Sequence, residues 1–148
     1  MIWDGEKIIG KEISPNERML EICSNGLSTH IMAIEQIKCM GMAVADSVFD
    51  TVFWTGRFCQ TWEQARGKWE RVPRMAVKMH ICQNSRARDS NIIQALKDRF
   101  EQDLLPKQRP KGILKGLKAD LWQAFALAVF YFDTRMPNQA QDQRSTRG

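Results

Sequence analysis

Two acidic residues, Glu35 and Asp120, stand inside strongly apolar segments of this chain. Glu35 lies within residues 31–37, which have the length and β-branched content of a buried strand. Asp120 opens an apolar segment at residues 118–132, long enough for a buried helix of about four turns. An ionised carboxylate that leaves water costs several kcal/mol unless a cation or strong donors compensate. We therefore expect Glu35 to have such a partner, and the two acids are the first candidates for a functional site.

Each acid also has an ordinary interpretation. Glu35 could point into water from an edge strand, since most acidic side chains are exposed. Asp120 could favour the helix dipole or cap free N–H groups in a first turn. Taken singly, neither residue decides between function and structure.

The elements that must position these acids are predicted from apolar periodicity and turn-forming residues. Asp4-Gly5 predicts a tight hairpin turn, and Ser14-Pro15-Asn16-Glu17 reads as a capping box with proline at the first helical position. The first predicted elements are strands at 1–3 and 7–13 and a helix from the cap to about 24, which Asn25-Gly26 ends. The Glu35 strand, a helix at 43–64, a basic linker at 67–73 and a strand at 75–81 are predicted to follow. The last predicted elements are a helix capped by Asp89 or Ser90 and ending at Phe100, a flexible basic loop at 103–116 and the Asp120 helix.

The predicted helix at 43–64 has more apolar surface than one sheet contact requires. Its apolar seam steps by four and three along one face, which is typical of a packed helix. The seam residues are Val48, Val52, Thr55, Cys59 and Trp62, and Phe49, Phe53 and Phe58 widen it. In the predicted helix at 89–100, the residues expected to face inward are Ile93, Leu96 and Phe100.

Composition predicts a soluble globular domain. The chain has 148 residues, of which 43% are hydrophobic and 26% charged. It has neither a run of transmembrane length nor a signal-peptide layout, so we expect it in the cytoplasm of its host. The four cysteines (Cys23, Cys39, Cys59 and Cys82) lack C-x-x-C spacing and are expected to be reduced, mostly buried thiols. His80 and Cys82 could share one face of a strand, but two ligands do not make a zinc site.

The charge of the chain favours a polyanionic partner. The formal net charge is +5 and the pI is about 9.2. A solvated basic surface is the alternative for any such run. The positive residues cluster at Arg66, Lys68, Arg71, Arg74 and Lys78, at Arg86 and Arg88, and at Lys107, Arg109, Lys111 and Lys115.

Several blocks, in order, resemble the RuvC-type Holliday-junction resolvases of the RNase H-like superfamily, particularly those of bacteriophages. The two acids stand in A-I-E-Q, followed by a long helix, and in K-A-D-L-W-Q-A-F-A-L-A. The blocks between them are Gly41-Met42-Ala43-Val44, Trp54-Thr55-Gly56-Arg57-Phe58, Ser85-Arg86-Ala87-Arg88-Asp89, Asn91-Ile92 and Gln94-Ala95-Leu96. The resemblance covers residues 1–134, and we expect residues 135–148 to be a disordered polar tail.

The resemblance implies a fold, a reaction and a site. The fold is an α/β, RNase H-like mixed sheet flanked by helices, and the activity is Mg²⁺-dependent phosphodiester hydrolysis (Mn²⁺ being the other candidate ion) at four-way DNA junctions, in phage recombination within the bacterial host cytoplasm. Family members gather three or four carboxylates around two ions. Glu35 matches the strand glutamate and Asp120 the helix aspartate, so both are expected to be catalytic and metal-binding. Leu117 stands where many relatives have another acid or a histidine, and Lys115 and Lys118 are expected to meet phosphate.

The resemblance also implies partners. RuvC-type enzymes act as two-fold dimers on branched double-stranded DNA, so the 43–64 helix is expected to contribute to a homodimer, with simple core packing as the alternative. The expected interface residues are Val48, Val52, Phe53, Thr55 and Cys59. The residues expected to contact DNA are Arg57, Arg66, Lys68, Lys78, Arg86, Arg88, Lys115 and Lys118.

One feature of the family is missing. Its first strand carries a leading catalytic Asp, and only about fourteen residues precede the first helix cap here, room for two strands at about 3.3 Å per residue. We expect a start codon placed too late or a truncated gene. Asp4 could replace the lost metal ligand if residues 1–4 were that strand, but Asp-Gly is more often a hairpin turn. The alternatives to a working resolvase are therefore a catalytically incomplete protein that binds DNA junctions, and an RNase H-like nuclease acting on flaps or RNA hybrids.

Overall fold

The computed structural model describes residues 1–26, 29–38, 41, 43–105, 107–108 and 112–136. These residues form a mixed α/β structure with five helices and four short strands, in two compact units. The central unit is Ser14–Arg74, and the terminal unit combines Met1–Ile13 with Met75–Gly148. The elements in chain order are β1 (Ile2–Trp3), β2 (Ile8–Gly10), α1 (Asn16–Ser24), β3 (Ile31–Gln36), α2 (Asp46–Gln64), β4 (Lys68–Pro73), α3 (Arg74–Cys82), α4 (Asp89–Glu101) and α5 (Leu121–Arg135).

The central unit is built on a parallel strand pair. β3 pairs with β4 in a register that runs from Ile31 opposite Lys68 to Gln36 opposite Pro73, and α2 connects the two strands. This is the βαβ arrangement, in which a helical crossover lets two strands run parallel. α1 packs against α2. The predicted strand around Glu35 and the predicted long helix are therefore confirmed, the helix beginning at Asp46 rather than at residue 43.

Trp62 anchors the end of α2 to the start of β4. Its side chain is buried, and its indole Nε1–H donates a 2.8 Å hydrogen bond to the carbonyl oxygen of Lys68. The indole lies directly against Gly67, where a Cβ atom would collide with the ring. Only glycine allows this close approach of the backbone to the ring.

The terminal unit is a hairpin on a helical core. β1 and β2 are antiparallel, as predicted, and hydrogen bonds pair the described strands into two two-stranded sheets, one in each unit. Trp3 of β1 packs edge-on against Phe125, with ring centroids 5.1 Å apart, and Phe100 lies 5.3 Å from the same ring. The unit's buried residues include Val77, Ile92, Leu96, Leu114, Leu121, Phe125, Ala126, Val129 and Phe130. Five of these lie on α5, which confirms that the Asp120 segment forms a buried helix.

The predicted strand at residues 75–81 is wrong, because these residues lie in α3. The alternation of Met75, Val77, Met79 and Ile81 also contains pairs four residues apart, which share a helical face. Met75 and Met79 are exposed on one face, whereas Val77 is buried. Seven residues are too few to separate a period of 2 from a period of 3.6, and methionine, alanine and lysine favour helix. His80 and Cys82 therefore do not share a strand face, because both lie in α3.

The predicted basic linker at residues 67–73 is also wrong, because residues 68–73 are strand β4. Its charged residues suggested a linker, but pairing with β3 satisfies the backbone and Val72 is 1% exposed. The strand that follows α2 is therefore β4, in the segment predicted as a linker.

Several predicted boundaries shift by a few residues. The predicted capping box at residues 14–17 is wrong, because Pro15 is the N-cap residue of α1 rather than its first helical residue and no side chain caps the helix, which begins at Asn16. Gly26 follows the end of α1 with φ of +53°. α4 is capped at Arg88, rather than at Asp89 or Ser90, and the Arg88 N–H donates to Asn91 Oδ1 at 2.9 Å. Ile92 and Leu96 are its fully buried residues, so the inward face includes Ile92, which the prediction missed.

Some predictions fall outside the described residues. They concern Cys39, Arg109, Lys111 and most of the polar tail, from residue 137 onward. No helix within the described ranges is long and apolar enough to cross a lipid bilayer.

Candidate functional site

Glu35 has a cationic partner, but the strand that carries it is not buried as predicted, because no residue of β3 is fully buried and Glu35 itself is exposed, as in the edge-strand alternative. It lies on β3 opposite Val72 of β4, and Arg74 follows the end of β4. Arg74 Nη1 donates to both carboxylate oxygens of Glu35, at 3.3 Å to Oε1 and 3.2 Å to Oε2. The two side chains are 44% and 36% exposed, so solvent screens the pair and its contribution to stability is small. The sequence placed Arg74 in a basic cluster and gave no signal of this pairing, since the two residues are 39 positions apart.

Glu35 is therefore held but accessible. Arg74 Nη1 is shared between the two carboxylate oxygens, and the Glu35 side chain is 44% exposed. A carboxylate held in this way keeps acceptor positions open to solvent. It can still accept hydrogen bonds or bind a cation from the solvent side.

Asp120 stands at the start of α5, in the terminal unit. It is exposed and occupies the N-cap position, with its backbone already helical. Its carbonyl oxygen accepts the N–H of Ala124 at 3.0 Å, but its side chain makes no capping hydrogen bond. Of the two ordinary roles considered for Asp120, side-chain capping is therefore absent, and the interaction with the helix dipole remains.

Asp4 closes the hairpin turn between β1 and β2. Its Oδ1 accepts the N–H groups of Glu6 at 2.9 Å and Lys7 at 2.8 Å, and Gly5 has φ of +99°. Slight burial raises the pKa of Asp4, but the hydrogen bonds from Lys7 and Glu6 outweigh it and hold that pKa below its usual value. Asp4 thus serves the turn that the Asp-Gly dipeptide predicts.

The metal chemistry expected at this site is only partly matched by the residues. Carboxylate oxygens are the ligands that Mg²⁺ prefers, so the donor type suits the ion. Across the part of the chain that the structure describes, however, no three His, Cys, Asp or Glu side chains are grouped so that they could hold a metal. The described residues do not by themselves build a two-ion centre.

The predicted DNA-binding residues are distributed over both units. Arg57, Arg66 and Lys68 belong to the central unit, and the other five belong to the terminal unit. All are exposed except Lys78, which is half-buried on α3. Arg57 is ordered by aromatic contacts, with its guanidinium carbon 4.5 Å from the centroid of the Trp54 ring.

The predicted dimer-interface residues on α2 divide into an exposed and a covered group. Val52 and Phe53 are 52% and 62% exposed, and Val48 and Thr55 are half-buried. Cys59 is 6% exposed and lies inside the central unit. Burial raises the pKa of its thiol, although the charge of Arg71 opposes this. The accessible apolar surface of α2 is therefore on its N-terminal half.

A charged cluster in the terminal unit was not predicted. Asp133 on α5 accepts hydrogen bonds from Arg99 on α4, at 2.5 Å from Nη1 to Oδ2 and 2.9 Å from Nη2 to Oδ1. His80 Nε2 of α3 lies 2.7 Å from the same Oδ2. These contacts join three helices through residues separated by 34 and 53 positions, too far apart for sequence periodicity to indicate.

The structure thus places Glu35 in one compact unit and Asp120 in the other, each in an accessible position. Comparison with known proteins adds no family, because neither a protein-family model, nor a curated protein, nor a solved structure matches this chain.

Proposed function

We propose that this chain belongs to a structure-selective DNA endonuclease of the RuvC type, with an RNase H-like fold, which hydrolyses phosphodiesters at four-way junctions with Mg²⁺ or Mn²⁺. The observation that supports this best is the setting of Glu35. It projects from a strand of a parallel βαβ unit, where its carboxylate is 44% exposed and lies beside Arg74.

Asp120 supports the same proposal from the terminal unit. Its carboxylate is exposed and makes no capping hydrogen bond at the head of α5, the most buried helix of that unit. Rigid helices position functional groups better than loops do. In the proposal Glu35 and Asp120 are the catalytic residues, and at least one further acidic ligand is required, as the resemblance to RuvC-type enzymes implies.

The exposed basic residues support DNA as the binding partner. With a net charge of +5, the protein attracts a polyanion, and lysine and arginine contacts to phosphates make binding sensitive to salt. The homodimer is part of the same proposal, through the exposed residues of α2. Fold and charge alone do not determine which branched DNA is the substrate.

A second candidate is a protein that binds DNA junctions without cutting them. It is favoured by one observation, that the described residues contain no group of three potential metal ligands. This protein would keep the basic surface and the fold but would give no Mg²⁺-dependent product.

Cleavage of a labelled four-way junction distinguishes the two. We expect Mg²⁺-dependent, paired nicks from the wild-type chain. Glu35→Gln and Asp120→Asn should each abolish the nicks and keep junction binding, whereas the matched controls Glu17→Gln and Asp103→Asn, at exposed acids of the same units, should cut normally. Binding without cutting by the wild-type chain would establish the second candidate.

A further inference from the structure

A cavity of about 430 Å³ lies within the central unit, between α1, β3 and α2. Its volume is in the range of small-molecule sites, which begins near 300 Å³, and suits one nucleobase with its sugar. Ile34 of β3 lines it, and Glu35 points to the opposite face of the strand, because successive side chains alternate. The cavity is thus separate from the Glu35–Arg74 pair.

The apolar wall of the cavity is aromatic. Trp54 and Phe58 line it from α2, with their ring centroids 6.0 Å apart. Arg57 lies over the Trp54 ring, which places a positive charge beside the wall. A flat aromatic ligand can stack on such a wall, and a base in nucleic acid brings a phosphate that the arginine can meet.

The polar groups of the cavity select among flat ligands. The hydroxyls of Thr51 and Thr55 donate to carbonyl oxygens of α2 itself, at 2.7 and 2.8 Å. Asp50 and Asn16 remain; both are exposed to solvent, and neither side chain has a hydrogen-bond or ion-pair partner among the described residues. An ionised aspartate can only accept hydrogen bonds, so its ligand must present N–H or O–H donors.

Guanine is the base that best meets this requirement. Its Watson–Crick edge has two neighbouring donors, the ring N–H and the exocyclic amino group, which match the two oxygens of a carboxylate. Adenine and cytosine present one amino group beside a ring nitrogen that accepts, and this nitrogen would face the carboxylate without a proton. The amide of Asn16 can serve the remaining polar atoms of the base.

We propose that this cavity binds an unpaired guanine of the DNA partner, stacked on Trp54 and held through its Watson–Crick edge by Asp50. The inference rests on the proposed function for the nature of the partner, DNA, and adds a base preference to it. Enzymes and binding proteins that take a base out of its stack read it in this way, by stacking and by hydrogen bonds to that edge.

The test uses the full chain and short fluorescein-labelled oligothymidylates with one central guanine, hypoxanthine or adenine, without Mg²⁺. We expect the guanine strand to bind at least about fivefold more tightly than the other two, the discrimination that one good bidentate contact gives. Hypoxanthine lacks only the exocyclic amino group of guanine, so this comparison needs no protein variant. Equal affinity for guanine and hypoxanthine would overturn the proposal.

Variants then assign the contact. Asp50→Asn should remove the preference for guanine, and Asp46→Asn, at an exposed position on the same helix outside the cavity, should retain it. Trp54→Leu should weaken all three strands alike. Loss of the preference in Asp46→Asn, or its retention in Asp50→Asn, would contradict the assignment.

Two further results distinguish a DNA base from a free nucleotide as the ligand, and the guanine site from the endonuclease function. Guanosine 5′-monophosphate should bind more weakly than the guanine strand, and equal affinity would make a free nucleotide the ligand and refute a DNA base. A guanine preference without junction cleavage would support the guanine site and refute the endonuclease proposal. Junction cleavage without the preference would support the endonuclease proposal and refute the guanine site.

Discussion

Replacing Asp133 by asparagine should destabilise the terminal unit through the charged cluster that joins α3, α4 and α5. The carboxylate is 21% exposed and accepts two hydrogen bonds from Arg99 and one from His80. Hydrogen bonds to charged groups contribute about 1.5–3 kcal/mol each. Arg99 is 45% exposed, so solvent screening reduces its share, and asparagine retains one acceptor oxygen. We expect Asp133→Asn to lower the free energy of unfolding by about 1–3 kcal/mol at pH 7.

The pH dependence of this loss follows from the pKa of Asp133. Burial raises that pKa, but the hydrogen bonds and charges of Arg99 and His80 outweigh burial and lower it below the usual value of the carboxyl. A carboxyl with a lowered pKa stabilises the folded state fully above its unfolded pKa of about 3.9. This stabilisation is lost as the pH falls through the lowered pKa of the folded state.

Urea denaturation, followed by far-UV circular dichroism at pH 7, 5 and 3, measures both effects. The difference in unfolding free energy between the wild type and Asp133→Asn should persist at pH 7 and pH 5 and should be smaller at pH 3. Asp103→Asn, at an exposed site on the same unit, is the control and should differ from the wild type by less than about 0.5 kcal/mol. A difference below that value at pH 7, or one that widens between pH 5 and pH 3, would refute the reasoning.

Three other predictions concern packing. Phe125→Ala, at a fully buried ring, should cost about 3–5 kcal/mol of unfolding free energy, whereas Phe49→Ala, at a ring 63% exposed, should change it by less than about 0.5 kcal/mol; equal costs would contradict the described core. Gly67→Ala should lower the melting temperature because the new Cβ meets the Trp62 indole, and the double variant Gly67→Ala/Trp62→Leu should lose less than the sum of the single losses; strict additivity would contradict the contact. The buried thiols of Cys23 and Cys59, whose pKa values burial raises, should react with Ellman's reagent at pH 7 only after urea is added; rapid labelling of Cys23 and Cys59 in the native protein, read from labelled peptides, would contradict their burial.

Local patterns predicted much of the fold. The Asp4-Gly5 turn, the apolar segment around Glu35 and the continuous apolar surface of α5 each determine their own structure within a few residues. The structure of residues 68–81 was not predictable from local patterns. β4 depends on pairing with β3, 37 positions earlier, and the alternation at residues 75–81 also fits a helix. Strand pairing is a tertiary effect, and charged residues in a strand conceal it.

The candidate site was predictable in its acids and not in their partners. Glu35 and Asp120 stand out because each is an acid within an apolar segment. The pairing of Glu35 with Arg74, and the cluster around Asp133, join residues far apart in the chain that have no shared periodicity. The cavity lined by Asp50 was likewise not predictable from local patterns, since α1, β3 and α2 each contribute residues to it.

The endonuclease proposal is tested most directly by the Mg²⁺-dependent nicking of a four-way DNA junction, measured beside a linear duplex of the same sequence. We expect the wild-type chain to nick the junction and spare the duplex, and we expect Glu35→Gln to bind the junction without nicking it while Glu17→Gln nicks normally. Nicking by Glu35→Gln at the rate of the parent chain, or equal cleavage of the linear duplex, would contradict it.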